Sequence, residues 1–255
     1  MATYNKRGYK EPKSKELREE EQVIRDGQNS QTAEVFNSLD STANKIGTWF
    51  TLNQKPIFIG IGVLVAIALG LLLYWNFVMQ PKEDEAANEM FQAQQYYNDA
   101  QNTASDSLYN LALNGGEGKL GFLKIIENYS GTDAANNANF YVGTIYLNTG
   151  KYAEAIKHLE KFDSKDLVLK ASALGAIGDA FSELGQKEEA LEYYKKAAKH
   201  NPNDYTTPRF AFKAGIVALD LGKKEEASRL FEEIKNDYTS SPQAQDIDFY
   251  IGLAK

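Results

Sequence analysis

The chain has no cysteine among its 255 residues. That absence excludes thiol nucleophiles, disulfides, cysteine-ligated zinc, iron–sulfur clusters and a lipidated N-terminal cysteine. Any folded part must therefore stand on packing alone, in an oxidising or a reducing compartment. Histidine is nearly as scarce, at two residues, His158 and His200. With no Gly-x-Ser-x-Gly and no His-x-x-x-His, local spacing assembles neither a nucleophile–base pair nor a metal site. The expectation is a protein that is not an enzyme and takes no cofactor, metal or small-molecule substrate. Basic residues are outnumbered too, 28 Lys+Arg against 35 Asp+Glu. An acidic surface argues against nucleic acid, whose phosphates are met by basic patches.

Charge is missing altogether from one stretch. Ile57 to Met79 (IFIGIGVLVAIALGLLLYWNFVM) contains no charged residue, and Asn76 is its one strongly polar side chain. At about 1.5 Å per residue such a helix covers roughly 34 Å, against roughly 30 Å of bilayer hydrocarbon. The run begins too far from the N-terminus, and is too long, for a cleaved secretory signal. Trp49, Tyr74 and Trp75 sit where amphipathic rings favour the headgroup zone, and Lys55 and Lys82 mark the water boundaries. The expectation is a transmembrane helix over 56–80. With no charge inside, it is a tether rather than an ion path. Gly62, Ala66 and Gly70 recur at four-residue spacing, as helix–helix contacts in membranes use, although small residues are common in such spans anyway.

Nine basic residues precede the span, whereas the eighteen residues after Met79 hold only Lys82, followed by Glu83, Asp84 and Glu85. This bias predicts a cytoplasmic N-terminus and a C-terminal part across the membrane. Residues 1–55 nearly balance, nine basic against eight acidic, leaving 19 basic and 27 acidic residues for the remainder. Residues 1–30 are charged, poor in apolar side chains and aperiodic, so they read as a disordered cytoplasmic tail, with a transient helix allowed over Lys10–Arg25. Over 31–55, Phe36, Leu39, Ala43, Ile46 and Phe50 follow one another at three- and four-residue steps. They form an apolar stripe on a juxtamembrane helix. Phe36, Leu39, Ile46 and Phe50 are the candidate docking face, for the cytoplasmic membrane surface or for a partner subunit.

Residues 81–135 read as a helical linker and atypical first helices. Lys82–Gln101 either continues from the span or restarts after Pro81, Ser105–Leu113 forms a short helix, and Gly118–Tyr129 is a further segment. Gly115-Gly116-Glu117-Gly118 lacks the Gly-Lys-Ser/Thr ending and the preceding apolar strand of a phosphate loop.

From residue 136 the chain repeats. Gly143, Gly178, Gly215 and Gly252 recur at intervals of 35, 37 and 37. Gly150, Gly185 and Gly222 follow the first three by seven residues. Ala155, Ala190 and Ala227 come five later, then Leu159, Tyr194 and Phe231 four later still. Each unit reads as a helix, a turn at glycine and a second helix, and a period near 34 with this pattern is the tetratricopeptide repeat. Small residues on facing helices let the backbones approach, and the large residue fills the remaining groove. The fold class predicted is all-α: a single transmembrane helix followed by an α-solenoid of three such repeats over 136–255. Gln243–Lys255 is expected as a capping helix opened by Ser241-Pro242.

The layout as a whole, carried by the span at 57–79, the segment GFLKIIENYSGTDAANNANFYVG (121–143) and the units after it, resembles the YfgM-type family of bacterial inner-membrane proteins. The resemblance implies a single-pass inner-membrane protein with periplasmic repeats. It also implies an ancillary subunit of the Sec translocon, with SecYEG and a PpiD-type periplasmic chaperone as partners. Transferring the family's groove positions gives Asn137, Phe140, Thr144, Leu147 and Asn148 from the first unit. The second unit gives Ser172, Asp179, Ser182 and Glu183, and the third Arg209, Phe212, Ile216, Leu219 and Asp220. Chaperone-binding relatives clamp a peptide carboxylate with Lys and Asn. This chain has Phe140/Thr144, Gly175/Asp179 and Phe212/Ile216 at the equivalent places, so the clamp is absent. A mixed apolar and acidic groove suits a polypeptide with basic residues. The alternatives are that these residues merely pack against the helices of 82–129, that the chain serves another envelope machine (secretion, motility or division), or that the topology is reversed and the repeats are cytoplasmic.

Overall fold

The structure, a computed structural model, describes residues 15–28 and 31–255, and it divides into two compact units, 1–72 and 73–255. Residues 1–14 and 29–30 of the expected tail, and the side chain of Phe36, lie outside the described residues. In the first unit α1 spans Lys15–Gln28, overlapping the Lys10–Arg25 stretch where a transient helix was expected and running three residues past it, and α2 spans Gln31–Leu52. Helix α3 follows at Gln54–Tyr74. Leu39, Ile46 and Phe50 of α2 are exposed, and the Phe50 ring meets Phe58 edge-on at 6.3 Å. Helix α3 buries none of its residues. An apolar surface of this length left bare would be costly in water, at about 25 cal/mol per Å2. Among the described residues this is the one helical stretch long and apolar enough to cross a membrane.

A π-helical turn, Trp75–Met79, separates α3 from α4 (Gln80–Thr103). Pro81 lies in the first turn of α4, where its missing N–H costs least. Next come α5 (Asp106–Asn114), a two-stranded hairpin of β1 (Gly115–Gly116) and β2 (Lys119–Leu120), and α6 (Phe122–Asn128). The hairpin explains the glycine cluster. Glu117 and Gly118, its two central residues, have φ of 55° and 79°, as two-residue hairpin loops require. It interrupts what would otherwise be one second helix, which is why this segment escapes the repeat pattern. The segment also packs rather than merely connecting. Ala86, Met90, Ala93 and Ala100 of α4 share a buried cluster with Phe122, Ile125, Ala138, Val142 and Ile145, so α4–α6 form a hydrophobic core with α7 (Asp133–Asn148). Glu83 fastens the two ends. Its carboxylate accepts from the Asp133 and Ala134 backbone N–H groups at 2.6 and 2.9 Å, at the start of α7, where orphan donors and the helix dipole favour an anion.

The repeats follow as α7 with α8 (Tyr152–Lys161), α9 (Leu167–Glu183) with α10 (Lys187–His200), and α11 (Thr206–Asp220) with α12 (Lys224–Asp237). Each first helix ends alike. Gly150, Gly185 and Gly222 have φ of 75°, 73° and 74°, and the next residue's N–H returns to the carbonyl five back (Lys151 to Tyr146, Gln186 to Phe181, Lys223 to Ala218). A Cβ on Gly143 would lie 2.5 Å from Leu159, on Gly178 2.7 Å from Tyr194, and on Gly215 2.4 Å from Phe231. The recurring glycine is thus the seat of the recurring large side chain. Ala155, Ala190 and Ala227 are fully buried beside it.

Successive repeats are also joined by polar contacts about one repeat length apart. Lys213 pairs with Asp179, Lys187 with Asp220, Lys195 with Glu226, Lys223 with Glu188, and the Tyr193 hydroxyl with Glu160.

The final helix is shorter than expected. Pro242–Ala244 is a single 3₁₀ turn, Asp246 adopts a left-handed φ of 58°, and α13 spans only Ile247–Leu253. Aspartate tolerates that conformation better than most residues, and the break turns Ile247, Ile251 and Ala254 into the core of the third repeat.

Two outcomes follow for the folded domain. Glu83→Ala leaves the start of α7 without its carboxylate and is expected to cost about 0.5–2 kcal/mol, seen as a lowered thermal midpoint. His158 Nδ1 lies 2.9 Å from Asn139 Oδ1, and burial, with Lys161 and Lys157 nearby, holds the ring's pKa below its usual 6.5. The neutral ring favours the fold above pH 6.5, and that contribution is lost as pH falls through the lowered value. Thermal melts of His158→Gln and the parent chain between pH 7.5 and 5 are expected to show a shallower acid-side loss in the variant.

Candidate partner-binding groove

The first helices of the repeats, α7, α9 and α11, present one face to a groove of about 530 Å3. Seven of the transferred positions meet there: Leu147 and Asn148 from α7, Asp179, Ser182 and Glu183 from α9, and Phe212 and Ile216 from α11. They converge because the repeat period returns the same helical face at each unit. Sequence reasoning missed Tyr152, Tyr194, Lys213 and Val217, which also line the groove. Lys213 carried a signal, since it lies 34 residues after Asp179.

Lys213 and Tyr194 change the electrostatics. The Lys213 ammonium and the Tyr194 hydroxyl both donate to Asp179 Oδ1, at 2.5 and 2.6 Å. Burial, and then the Asp179 carboxylate, push the Tyr194 hydroxyl well above the usual tyrosine pKa, so it stays a donor at any physiological pH. Asp179 is therefore already neutralised. Glu183 is held only by the Tyr152 hydroxyl at 3.3 Å and is exposed, which leaves it as the carboxylate a ligand can meet. Asn148 donates through Nδ2 to the Tyr109 hydroxyl at 3.1 Å, which orients its amide. The groove offers an apolar strip (Leu147, Phe212, Ile216), one open negative charge and no open cation.

The other seven transferred positions lie elsewhere. Phe140 is half-buried with its ring 5.2 Å from Phe162, and serves the core between the first and second repeats. The Thr144 hydroxyl bonds the Tyr97 hydroxyl of α4 at 3.3 Å and the Tyr141 carbonyl at 2.9 Å. Here α4 takes the place that an open groove would occupy. Asn137 lines a second cavity, of about 430 Å3, with Asp133, Asn136 and the 163–166 loop. Arg209 is exposed over the Phe210 ring at 5.5 Å, Leu219 packs on the third-repeat core, and Asp220 is paired with Lys187 at 3.2 Å. Ser172 bonds back to the Val168 carbonyl.

Comparison of the sequence with family models agrees with the pairing of helices into repeats. Tetratricopeptide-repeat family models match residues 138–164 and 171–204. Among curated proteins the chain is similar to the TPR repeat-containing protein MJ1428 of Methanocaldococcus jannaschii, 22% identical over 174 residues. The match covers 68% of this chain and 30% of that protein, so the chain spans under a third of its relative. Among solved structures, kinesin-light-chain TPR-like repeats from Podosopora anserina align with a TM-score of 0.46 and 14% identity, over 67% of this chain and 84% of that one. The helical pairs of 138–164 and 171–204 are tetratricopeptide repeats.

Proposed function

We propose that the chain is a membrane-tethered, non-enzymatic scaffold whose groove binds a polypeptide carrying apolar side chains and a basic residue. The observation that carries this reading is the groove's composition: three apolar side chains from α7 and α11, with the exposed Glu183 between them and Asp179 already satisfied by Lys213. A basic side chain placed against Glu183 gains a charge-assisted bond, while an acidic one meets a like charge. The tether is supported by the charge-free run from Ile57 to Met79 and by α3 leaving its apolar side chains bare. The resemblance to the YfgM-type family supports placing the tether in the bacterial inner membrane with the repeats in the periplasm. There the partners would be SecYEG and a PpiD-type chaperone or the emerging chain. The outward faces of Leu39, Ile46 and Phe50 would then serve docking on the cytoplasmic side.

Two experiments test these statements. The full chain is expected to stay with membranes through carbonate extraction, and protease added to intact spheroplasts is expected to remove the repeats. Loss of the protein into the carbonate wash defeats the tether, and protection of the repeats defeats the topology. Affinity capture in mild detergent is expected to recover SecYEG subunits, and Ile216→Asp, at a half-buried position that also packs on the third-repeat core and whose folding is checked by circular dichroism, to reduce that recovery about tenfold, the factor that 1.4 kcal/mol of lost binding gives. Enrichment of a different complex, still sensitive to Ile216→Asp, sinks the Sec reading and keeps the groove. Insensitivity to the substitution sinks the groove.

A further inference from the structure

The start of α4 is bonded to one edge of the repeats. The Lys82 ammonium donates to the Ser130 carbonyl at 3.0 Å, and the Glu83 carboxylate holds the first N–H groups of α7. Farther along, Gln94 meets Tyr141 and Tyr97 meets Thr144, so α4 and α7 run side by side in one direction. The loop between α8 and α9 joins the same edge. Asn136, in the first turn of α7, donates to the Asp163 carbonyl and accepts from the Asp163 N–H. The start of α11 lies there too, with the Thr207 hydroxyl on the Ala198 carbonyl near the end of α10. The turns at Gly150, Gly185 and Gly222 close the other ends of these helices and make the opposite edge.

The first edge carries apolar side chains that the protein leaves uncovered. Leu167 and Val168, which open α9, are 48% and 42% exposed, and Tyr205, just before α11, is 64% exposed. Tyr205 follows Val168 by 37 residues, the interval from Gly178 to Gly215, so the two hold equivalent places in successive repeats. The edge is also basic, although the chain beyond residue 55 is acidic. Lys161, Lys165, Lys199 and Arg209 are exposed, and none of them enters an ion pair among the described residues. Of the carboxylates among them, Asp163 pairs with Lys170 and Asp166 caps α9, which leaves Asp133 and Asp204 open.

We infer that this edge rests on the bilayer that the chain's own apolar helix crosses. Leu167, Val168 and Tyr205 reach headgroup level, and the four cations face lipid phosphates. Lipid is favoured over a protein partner because bonds within the unit set the height of the edge. The last apolar residues, Leu73–Met79, belong to the same compact unit as the repeats, and Lys82 marks the water boundary of the run. With Lys82 at that boundary, Ser130 lies beside it, and the loops level with Ser130 follow. Tyrosine rings favour the headgroup zone, and Lys and Arg gain from anionic lipid there. The inference rests on the tether reading and is indifferent to the side of the membrane and to the Sec partners.

Because the chain has no cysteine, single nitroxide labels can report the height of each position. Full-length Val168→Cys, Tyr205→Cys, Leu184→Cys and Val65→Cys are labelled and placed one copy per nanodisc of phosphatidylcholine and phosphatidylglycerol in equal parts. Leu184 is the control, 44% exposed but on the opposite edge. Collision with a water-confined nickel chelate is expected to be at least fivefold lower at 168 and 205 than at 184, and lowest at 65. Lys165→Glu, Lys199→Glu and Arg209→Glu together are expected to raise collision at 168 and 205 to the level at 184. These three positions are exposed, so the melting temperature is expected to hold. Collision at 168 and 205 equal to that at 184, with 65 still shielded, overturns the inference and leaves the tether standing. An unshielded label at 65 defeats the tether and the inference with it. Shielding that survives the charge reversal shows that lipid phosphates do not hold the edge, and it too overturns the inference.

Discussion

The contact on which the rest of the domain depends is a large side chain lying flat on a glycine. Within each repeat the second helix brings Leu159, Tyr194 or Phe231 onto Gly143, Gly178 or Gly215, at distances where a methyl group would collide. The next contact, between neighbouring first helices, repeats the device with Phe210 on Gly175, whose Cβ would lie 1.9 Å from the ring. Dispersion attraction falls steeply with separation, so helices held this close gain contacts along their whole length. The spacing also fixes the angle between successive pairs, and that angle places Leu147, Asp179 and Phe212 around one cavity although more than thirty residues separate each from the next. The groove is a consequence of the glycines, not a separate design.

What the sequence made legible is what the period carries. The turn glycines, the buried alanines and the large residues all follow from one register: the glycines take positive φ, and the alanines and large side chains are buried. The charge-free span was legible for a similar reason, since a run of apolar residues needs no partner to be read. Legibility fails where a residue's neighbour is set by something outside the period. Thr144 and Phe140 sit at groove positions of their unit, yet α4 bonds one and Phe162 covers the other. Helix α4 could not be registered with the repeats because the hairpin at 115–120 splits its partner helix in two. The break at Asp246 was hidden likewise, because a single left-handed residue leaves no trace in a hydrophobic pattern.

The electrostatics of the groove show the same division. The sequence offered two carboxylates, Asp179 and Glu183, four residues apart on one face. Read alone, they describe an acidic site. Lys213, supplied by the next repeat, and Tyr194, from the facing helix, take one of them out of play. An ion pair that is only partly exposed adds little stability by itself. Its consequence here is selectivity, because it leaves Glu183 as the open charge and so asks for one basic group rather than two.

A groove with three apolar contacts and one open charge cannot hold a polypeptide tightly. Association carries a cost in lost translational and rotational freedom, and an extended chain adds the entropy of ordering each residue. The arrangement gains affinity chiefly if partner and groove are already held near each other, since a tether turns the second contact into an intramolecular one with a far higher effective concentration. On the proposed reading the apolar helix supplies that tether. The groove is weak alone, and a chain confined to a surface is the setting in which a weak contact of this kind becomes occupied.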